Sequence, residues 1–298
     1  MKAGFSRREF LTATSAAAAL SAAPAWAVAG APVRFGYAAI TWGDAVPQAL
    51  DDIAAVGFPG VQLRNNVLKQ MDPAKLKDTL AAHKLTFVAL SSGDVALDKP
   101  ADEQIAEHTA HAKYIREAGG LYMQILDAGK PWPRSTTPDE CVRLGKLLTE
   151  LGKRVTDAGI QLGYHNHLNT ISEKPEHLAI VLENADPRYV KLELDVAHSY
   201  AGGGDPVKQI AEYHDRLLFL HLKDVVPHAS SAPGRYPFQW VELGQGKVDL
   251  QGVFVALKKV NFGGWAVAEL DSVPVPGRTP KQSAQMNYDY IRKAGYKI

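Results

Sequence analysis

Three short apolar runs decide the fold of this chain: IQLGYHNH at 160–167, VKLELDV at 190–196 and LLFLHL at 217–222. Runs of this length that are rich in aliphatic and β-branched side chains indicate strands. The segments between them, 175–184 and 206–214, each begin with a proline and place apolar residues at helical spacing. Strands that alternate with helices in this way are typical of parallel βα units.

The same alternation extends outward over the rest of the chain. The candidate strands are 33–40, 60–63, 86–91, 121–126, 160–167, 190–196, 217–222 and 265–270. The candidate helices are 44–56, 73–83, 102–118, 138–158, 175–184, 206–214, 250–260 and 280–294. Eight units over this length predict a single (β/α)8 TIM barrel, an α/β fold whose usual size is about 250 residues. A doubly wound open sheet is the alternative, but it normally has a glycine-rich phosphate turn after its first strand, and AAITWG at 38–43 lacks that pattern.

The first 27 residues have the pattern of an export signal. SRREFL at 6–11 is a twin-arginine start, an apolar run follows at 11–23, and AWA at 25–27 is a small-x-small cleavage site. The apolar run is too short to span a bilayer, so we expect no membrane anchor. We expect residues 1–27 to be removed after twin-arginine export to the periplasm, and residues 28–298 to form the barrel domain.

The charge balance and the cysteine content narrow the function further. Lys and Arg number 33 against 32 Asp and Glu, for a net charge of +1, so no basic field is available to gather nucleic acid. The single Cys141 can form neither an intramolecular disulfide nor a thiol metal site. Any metal ion must therefore be held by histidines and carboxylates. A homo-oligomer is compatible with this composition.

Side chains that suit a divalent ion follow four consecutive predicted strands. They occur in HNH at 165–167, DVAH at 195–198, HLKD at 221–224 and ELD at 269–271. The carboxyl ends of barrel strands meet at one mouth, so we expect these groups to converge there. Imidazole nitrogen together with carboxylate oxygen suits Mn, Co, Zn, Fe or Mg. Each signal alone has a structural alternative, because Asp195 can cap a helix and Glu269 can pair with a lysine.

Several other residues near predicted strand ends suit a carbohydrate ligand. Arg64 and Asn65 end the second strand and can hydrogen-bond to hydroxyl groups. Aromatic side chains can present rings to a sugar face or simply anchor their loops, and these are Trp42, Trp132, Tyr236 and Trp240. The stretch 226–248 is rich in proline and glycine and follows the seventh strand, so we expect an irregular loop that serves as a lid over the substrate.

The order of these motifs resembles the xylose isomerase-like TIM-barrel superfamily, and within it the branch of sugar isomerases/epimerases and inosose dehydratases. The motifs are YHNH at 164–167, LDVAH at 194–198 with GGDP at 203–206, HLKD at 221–224, GQGKVD at 244–249 and AELD at 268–271. The resemblance covers nearly the whole chain after residue 27 and is sharp from 160 to 271.

The resemblance implies one divalent ion held at the ends of strands five to eight, by His165, Asp195, His221 and Glu269. Many members have a glutamate where this chain has His165, so one of two carboxylates used for proton transfer is missing. His167 is the competing ligand from strand five. His198 and Lys223 stand where the family contacts substrate hydroxyls or the carbonyl group.

The chemistry implied is proton removal beside a carbonyl group. An ion chelated by a carbonyl and a neighbouring hydroxyl acidifies the α C–H, because the enediolate that forms is bound as an anion. We expect Glu269 to lie close to the proton transfer, His165 or His167 to be the other acid/base, and Lys223 to stabilise the oxyanion.

The sequence therefore predicts an exported, metal-dependent isomerase, epimerase or lyase (dehydratase). The expected substrate is an unphosphorylated keto sugar, 3-keto glycoside or inosose. A metal-free, degenerate sugar-binding barrel is the alternative. An AP endonuclease fits less well, because it needs additional His and Asp zinc ligands and a basic surface for DNA.

Overall fold

The structure, a computed structural model, describes residues 32–129, 135–228 and 237–298. The expected export signal at 1–27, Trp132 and Tyr236 lie outside the described residues. The barrel strands are β1 (Arg34–Ala38), β2 (Gly60–Arg64), β3 (Thr86–Val95), β4 (Tyr122–Asp127), β5 (Gln161–His165), β6 (Val190–Asp195), β7 (Leu217–Leu222) and β10 (Trp265–Ala268). All their pairings are parallel, and they close in the order β1-β10-β7-β6-β5-β4-β3-β2. The predicted (β/α)8 barrel is confirmed.

Helices follow the strands and pack outside the barrel. They are α1 (Val46–Val56), α2 (Pro73–Ala82), α3 (Ala101–Glu117), α4 (Pro138–Asp157), α5 (Pro175–Glu183), α6 (Val196–Ala201), α7 (Pro206–Glu212), α8 (Leu250–Lys259) and α9 (Pro280–Lys293). Local sequence explains where they begin. Thr137 and Glu140, for example, form a capping box at the start of α4, with Pro138 at its first position. Among the described helices, none is long and apolar enough to cross a membrane.

Two segments differ from the expected pattern. The stretch 226–248 is not irregular throughout, because β8 (Asp224–Pro227) and β9 (Phe238–Val241) pair as an antiparallel hairpin with Val225 opposite Trp240. Prolines at the hairpin ends concealed these edge strands. Strand β3 runs to Val95 rather than to residue 91, and its register with β4 shifts between Ser91 and Asp94.

The barrel interior is apolar at one end and polar at the other. At the amino end of the strands, the Tyr122 and Phe219 rings stack with centroids 5.4 Å apart. Trp265 lies in the same buried cluster. A Cβ atom at Gly60 would stand 2.4 Å from the Trp265 ring, so only glycine leaves room for it. Because side chains alternate along a strand, Phe219 and His221 share a face, and the interior becomes polar toward the carboxyl end.

One carboxylate holds the loop that follows β9. Oxygens of Asp224 accept hydrogen bonds from the backbone N–H groups of Val225, Gly244, Gly246 and Val248, at 2.8–3.1 Å. An added Cβ atom at Gly246 would lie 2.1 Å from Asp224 Oδ1. The GQGKVD motif at 244–249 therefore wraps around a buried carboxylate, and this fixes the end of the hairpin beside the barrel mouth.

We expect Asp224→Asn to lower the free energy of unfolding by roughly 3 kcal/mol. An amide NH2 would replace one oxygen and face two N–H donors, which would leave buried groups without acceptors. The matched control is Asp249→Asn. Asp249 caps α8 by accepting from the N–H of Gly252, and the substitution should lower the free energy of unfolding little, because asparagine caps helices as well as aspartate does. Urea denaturation measures both, and equal losses would contradict this role of Asp224.

Candidate active site

Three buried carboxylates surround the imidazole of His221 at the mouth of the barrel. Nδ1 of His221 lies 3.0 Å from Glu269 Oε2 and 3.6 Å from Asp195 Oδ2. Its Nε2 lies 2.7 Å from Glu193 Oε1. Although burial lowers the pKa of His221, the charges of Glu193 and Glu269 hold that pKa well above its usual value. The strand ends thus converge as the sequence predicted.

Asp195 combines a structural role with a free ligand atom. Its Oδ1 caps α6 by accepting hydrogen bonds from the N–H groups of Ala197 and His198, at 2.8 and 2.7 Å. Its Oδ2 is buried without a hydrogen-bond partner and belongs to a group with His221 and Glu269 whose ligand atoms lie within 4.8 Å of one another. Capping and ligation are therefore compatible, since they use different oxygens.

A polar network beneath the mouth orients His221. Nε2 of His221 is 2.8 Å from Gln62 Oε1, and Gln62 in turn donates from Nε2 to Gln124 Oε1 at 2.8 Å. Because the Gln62 amide gives its hydrogens to Gln124, its oxygen accepts from His221 Nε2–H. The Nδ1 atom of a neutral His221 then carries the lone pair that faces Asp195 and Glu269.

Glu193 is a functional candidate that no sequence motif indicates. It is fully buried two residues before Asp195, and neither of its carboxylate oxygens meets hydrogen-bond geometry with a partner. It pairs in register with His165 across β5 and β6, and its Oε1 lies 3.9 Å from His165 Nδ1. Burial raises the pKa of Glu193 to about 7. A buried carboxylate thus stands beside His165, on the neighbouring strand β6.

Lys223 is a buried cation held by carboxylates. Its Nζ donates to Asp271 Oδ1 at 2.6 Å and to Glu269 Oε2 at 3.0 Å, and it lies 4.6 Å from the centre of the Trp240 ring. Although burial lowers the pKa of Lys223, the charges of Asp271 and Glu269 hold that pKa above its usual value. Burial raises the pKa of Glu269, but His221 and Lys223 hold it well below its usual value.

The three histidines near the mouth have different environments. His167 Nδ1 is 2.6 Å from the Leu168 carbonyl, so it is the protonated nitrogen and Nε2 carries the lone pair. His198 Nδ1 accepts from the Leu168 N–H at 3.2 Å, and its ring lies against that of His167 with centroids 3.7 Å apart and planes tilted by 35°. Burial lowers the pKa of His165, His167 and His198, so all three are neutral ligand or base candidates near neutral pH.

A polar cavity of about 310 Å³ opens above this cluster. It is lined by His165, His167, Lys223, Glu269 and Asp271 on one side, and by Gln62, Arg64, Asn65, Gly93 and Asp94 among others on the opposite side. His198 is buried and lies outside the lining, against Lys223 and Trp240. Trp42 also lies outside it, because its Nε1 donates to Asp52 at 2.9 Å and its ring packs on Tyr37.

The donor set suits a divalent ion. Asp195 Oδ2, His221 Nδ1 and His165 Nδ1 are buried polar atoms without hydrogen-bond partners, and such atoms are costly unless something binds them. Asp195, His221 and Glu269 form one candidate group, while His165 groups with Glu193 and His221, or with His167 and His198. An ion would displace a proton from His221, as metal binding to imidazole generally does.

The sequence matches the family model of the xylose isomerase-like TIM barrel over residues 50–294. An inosose dehydratase of Lacticaseibacillus casei is 26% identical over 275 residues, which cover 81% of this chain and 91% of that protein. An inosose dehydratase of Geobacillus kaustophilus is 26% identical over 293 residues, which cover 87% and 94%.

Solved structures share the fold at lower identity. An L-ribulose 3-epimerase superposes with a TM-score of 0.73 at 17% identity, covering 88% of this chain and 94% of that one. The IOLI protein with a bound zinc atom superposes with a TM-score of 0.72 at 18% identity, covering 88% and 98%.

We expect Lys223→Met to destabilise the metal-free protein by roughly 3–5 kcal/mol, because it leaves the carboxylates of Glu269 and Asp271 without their cation. Lys153→Met is the control, since Lys153 forms a solvent-exposed pair with Glu150 and its loss should change stability little. Urea denaturation in the presence of a chelator measures both. A loss for Lys223→Met no larger than that of the control would refute this account of the cluster.

Proposed function

This chain belongs to the xylose isomerase-like TIM-barrel family, and we propose that it is a metal-dependent enzyme that removes a proton beside the carbonyl group of a keto sugar or inosose. The observation that carries the proposal is the group formed by Asp195, His221 and Glu269, whose buried ligand atoms lie within 4.8 Å of one another next to a polar cavity. A protein that only binds sugar has no need to gather buried carboxylate and imidazole atoms in this arrangement.

The residues Asp195, His221 and Glu269 would hold the ion, with His165 as the fourth candidate ligand. A divalent ion bound there supplies a Lewis acid that polarises the substrate carbonyl. Glu269 is better suited to ligation than to proton abstraction, because the neighbouring cations that lower its pKa also make it a weak base.

Lys223 would stabilise the oxyanion that develops when the proton leaves. Its ammonium group lines the cavity and is held in place by Asp271 and Glu269, so no reorganisation is needed during the reaction.

His167 is the proposed base. The bond of its Nδ1–H to the Leu168 carbonyl leaves the lone pair on Nε2, and the ring lines the cavity. A base must reach the proton that it abstracts, and among the histidines at the mouth only His165 and His167 line this cavity. We assign His165 to the ion instead, because it also groups with Glu193 and His221, whereas His167 does not.

Three reactions share the resulting enediolate. Return of the proton to the opposite face gives epimerisation, its return to the adjacent carbon gives isomerisation, and loss of a β-substituent gives elimination. The inosose dehydratases among the relatives favour elimination, a carbon–oxygen lyase reaction. We further propose that the enzyme is exported through its twin-arginine start and acts in the periplasm on an unphosphorylated inosose, keto sugar or 3-keto glycoside.

We expect the protein to bind about one divalent ion and Asp195→Asn to weaken that binding by more than the roughly 10–100-fold typical of an outer-shell change. Asparagine preserves the cap on α6 but replaces the free oxygen with an amide. The control is Asp205→Asn, a helix cap on α7 outside the site. Calorimetry with Mn²⁺ and Zn²⁺ measures affinity, and NMR follows solvent deuterium entering keto sugars and inososes.

Deuterium at the carbon beside the carbonyl, lost with the ion in Asp195→Asn, would support the proposal, and the product would identify the reaction. No ion and no exchange after metal reconstitution would replace it with a metal-free sugar-binding barrel.

We expect His167→Gln to slow deuterium exchange by about 10²–10⁴-fold with little change in ion affinity, because it removes the base and not a ligand. His214→Gln is the control, since His214 lies on the surface next to Asp215. A large loss of ion affinity in His167→Gln would instead identify His167 as the ligand from β5.

A further inference from the structure

The wall of the cavity opposite Lys223 is formed by a bulge in β3. The register between β3 and β4 shifts between Ser91 and Asp94, and Gly93 has a φ of +115°. Gly93 and Asp94 both line the cavity. Bulges often re-aim side chains next to active sites, but the unpaired residues need other hydrogen bonds to keep one conformation.

Two histidines of α3 supply those bonds through the buried Ser92. Its Oγ lies 2.7 Å from His108 Nδ1 and 2.8 Å from His111 Nδ1. His108 Nε2 lies 3.2 Å from the carbonyl oxygen of Asp94. Ser92 and His108 are buried, and the two imidazole rings meet edge to face with centroids 5.7 Å apart.

The hydrogen bonds of this cluster all run in one direction, from His111 through Ser92 and His108 to Asp94. The Asp94 carbonyl can only accept, so His108 Nε2 must be protonated and the Nδ1 of a neutral His108 carries a lone pair. That lone pair accepts the single hydroxyl hydrogen of Ser92. With its hydrogen committed, Ser92 Oγ can only accept from His111, so His111 is protonated at Nδ1.

We propose that His111, Ser92 and His108 form a directed hydrogen-bond chain that ends on the Asp94 carbonyl and positions Asp94 at the cavity wall. They are positioning residues for the substrate of the proposed enzyme, and this part of the inference rests on the proposed function. Asn65 reinforces the chain from β2, because its Nδ2 donates to the Ser92 carbonyl at 3.1 Å and the residue also lines the cavity. The chain therefore joins α3 to the ends of two neighbouring strands.

The chain is sensitive to acid because protonation of His108 destroys its direction. A second hydrogen on His108 Nδ1 would point at Ser92 Oγ, so the serine hydrogen would have to turn to His111 Nδ1. His111 would then have to carry its own hydrogen on Nε2, which reverses the bond between Ser92 and His111. The groups that act electrostatically on His108 are His111, Glu107 and Asp94, and Glu107 also acts on His111. Burial outweighs the two carboxylates and lowers the pKa of both histidines.

Acid lowers the stability of the folded protein through these histidines. A histidine with a lowered pKa binds protons more weakly in the folded protein than in the unfolded chain. Its contribution to stability is complete above the unfolded pKa of about 6.5 and is lost as the pH falls below that value.

The first test is independent of activity. ¹⁵N NMR of the full chain at pH 7.5 should show the Nε2–H tautomer for His108 and the Nδ1–H tautomer for His111. Between pH 7.5 and 5.0, the Tm of the wild type should fall by about 2–4 °C more than that of His108→Gln, whose amide keeps the bond to Asp94 but does not titrate. The opposite tautomers, or an equal fall of Tm in the two proteins, would contradict the proposed hydrogen-bond chain.

The second test asks whether these residues help to position the substrate. Its substrate is whichever keto sugar or inosose exchanges deuterium in the NMR experiment. At pH 7.5, Ser92→Ala and His108→Ala should raise KM by about 2–10-fold with a smaller effect on kcat, and His108→Gln should restore KM. Ser283→Ala is the control, since this buried serine donates to Glu242 and lies on α9.

An unchanged KM in both alanine variants, or a failure of His108→Gln to restore it, would refute the positioning role. If none of the keto sugars and inososes exchanges deuterium, the proposed function fails. The tautomers and the Tm profile still decide whether the hydrogen-bond chain is present.

Discussion

The burial of negative charge around His221 is the constraint on which the rest of this structure depends. Glu193, Asp195 and Glu269 are all removed from water, and isolated buried carboxylates are among the most costly groups that a protein can contain. Two buried cations, His221 and Lys223, offset that cost in the ion-free chain. Buried and incompletely paired negative charge attracts positive ions, and the proposed ion would replace the proton on His221.

The barrel satisfies this constraint because its interior changes from apolar to charged along its axis. Stacked aromatic rings fill the amino end, a layer of glutamine amides follows, and charged groups gather toward the carboxyl ends of the strands. The amide layer orients the ring of His221, since Gln62 lies 2.8 Å from its Nε2 and leaves Nδ1 toward Asp195 and Glu269. Metal-binding histidines generally depend on such outer partners for their orientation.

The sequence predicts the barrel and the convergence of four strand ends because both follow from local patterns that repeat along the chain. It does not reveal Glu193, because a carboxylate in the middle of a strand looks like a solvent-facing residue until the barrel closes around it. The hairpin of β8 and β9 escapes prediction because its strands are short and flanked by prolines. The position of Trp42 depends on its distant contact with Asp52, which no spacing rule reports. Ser92 and His108 meet only through the bulge, a feature without a sequence period.

The carboxylate of Asp224 gives the loop after β7 a modular construction. Both ends of the hairpin are tied to this one side chain, through Val225 on one side and through Gly244, Gly246 and Val248 on the other. The segment between these points also contains Trp240, whose ring contacts Lys223 and His198, so its sequence is constrained at that position. Natural divergence and loop grafting can therefore exchange this segment as one unit only where the Asp224 bonds and the Trp240 contacts are kept.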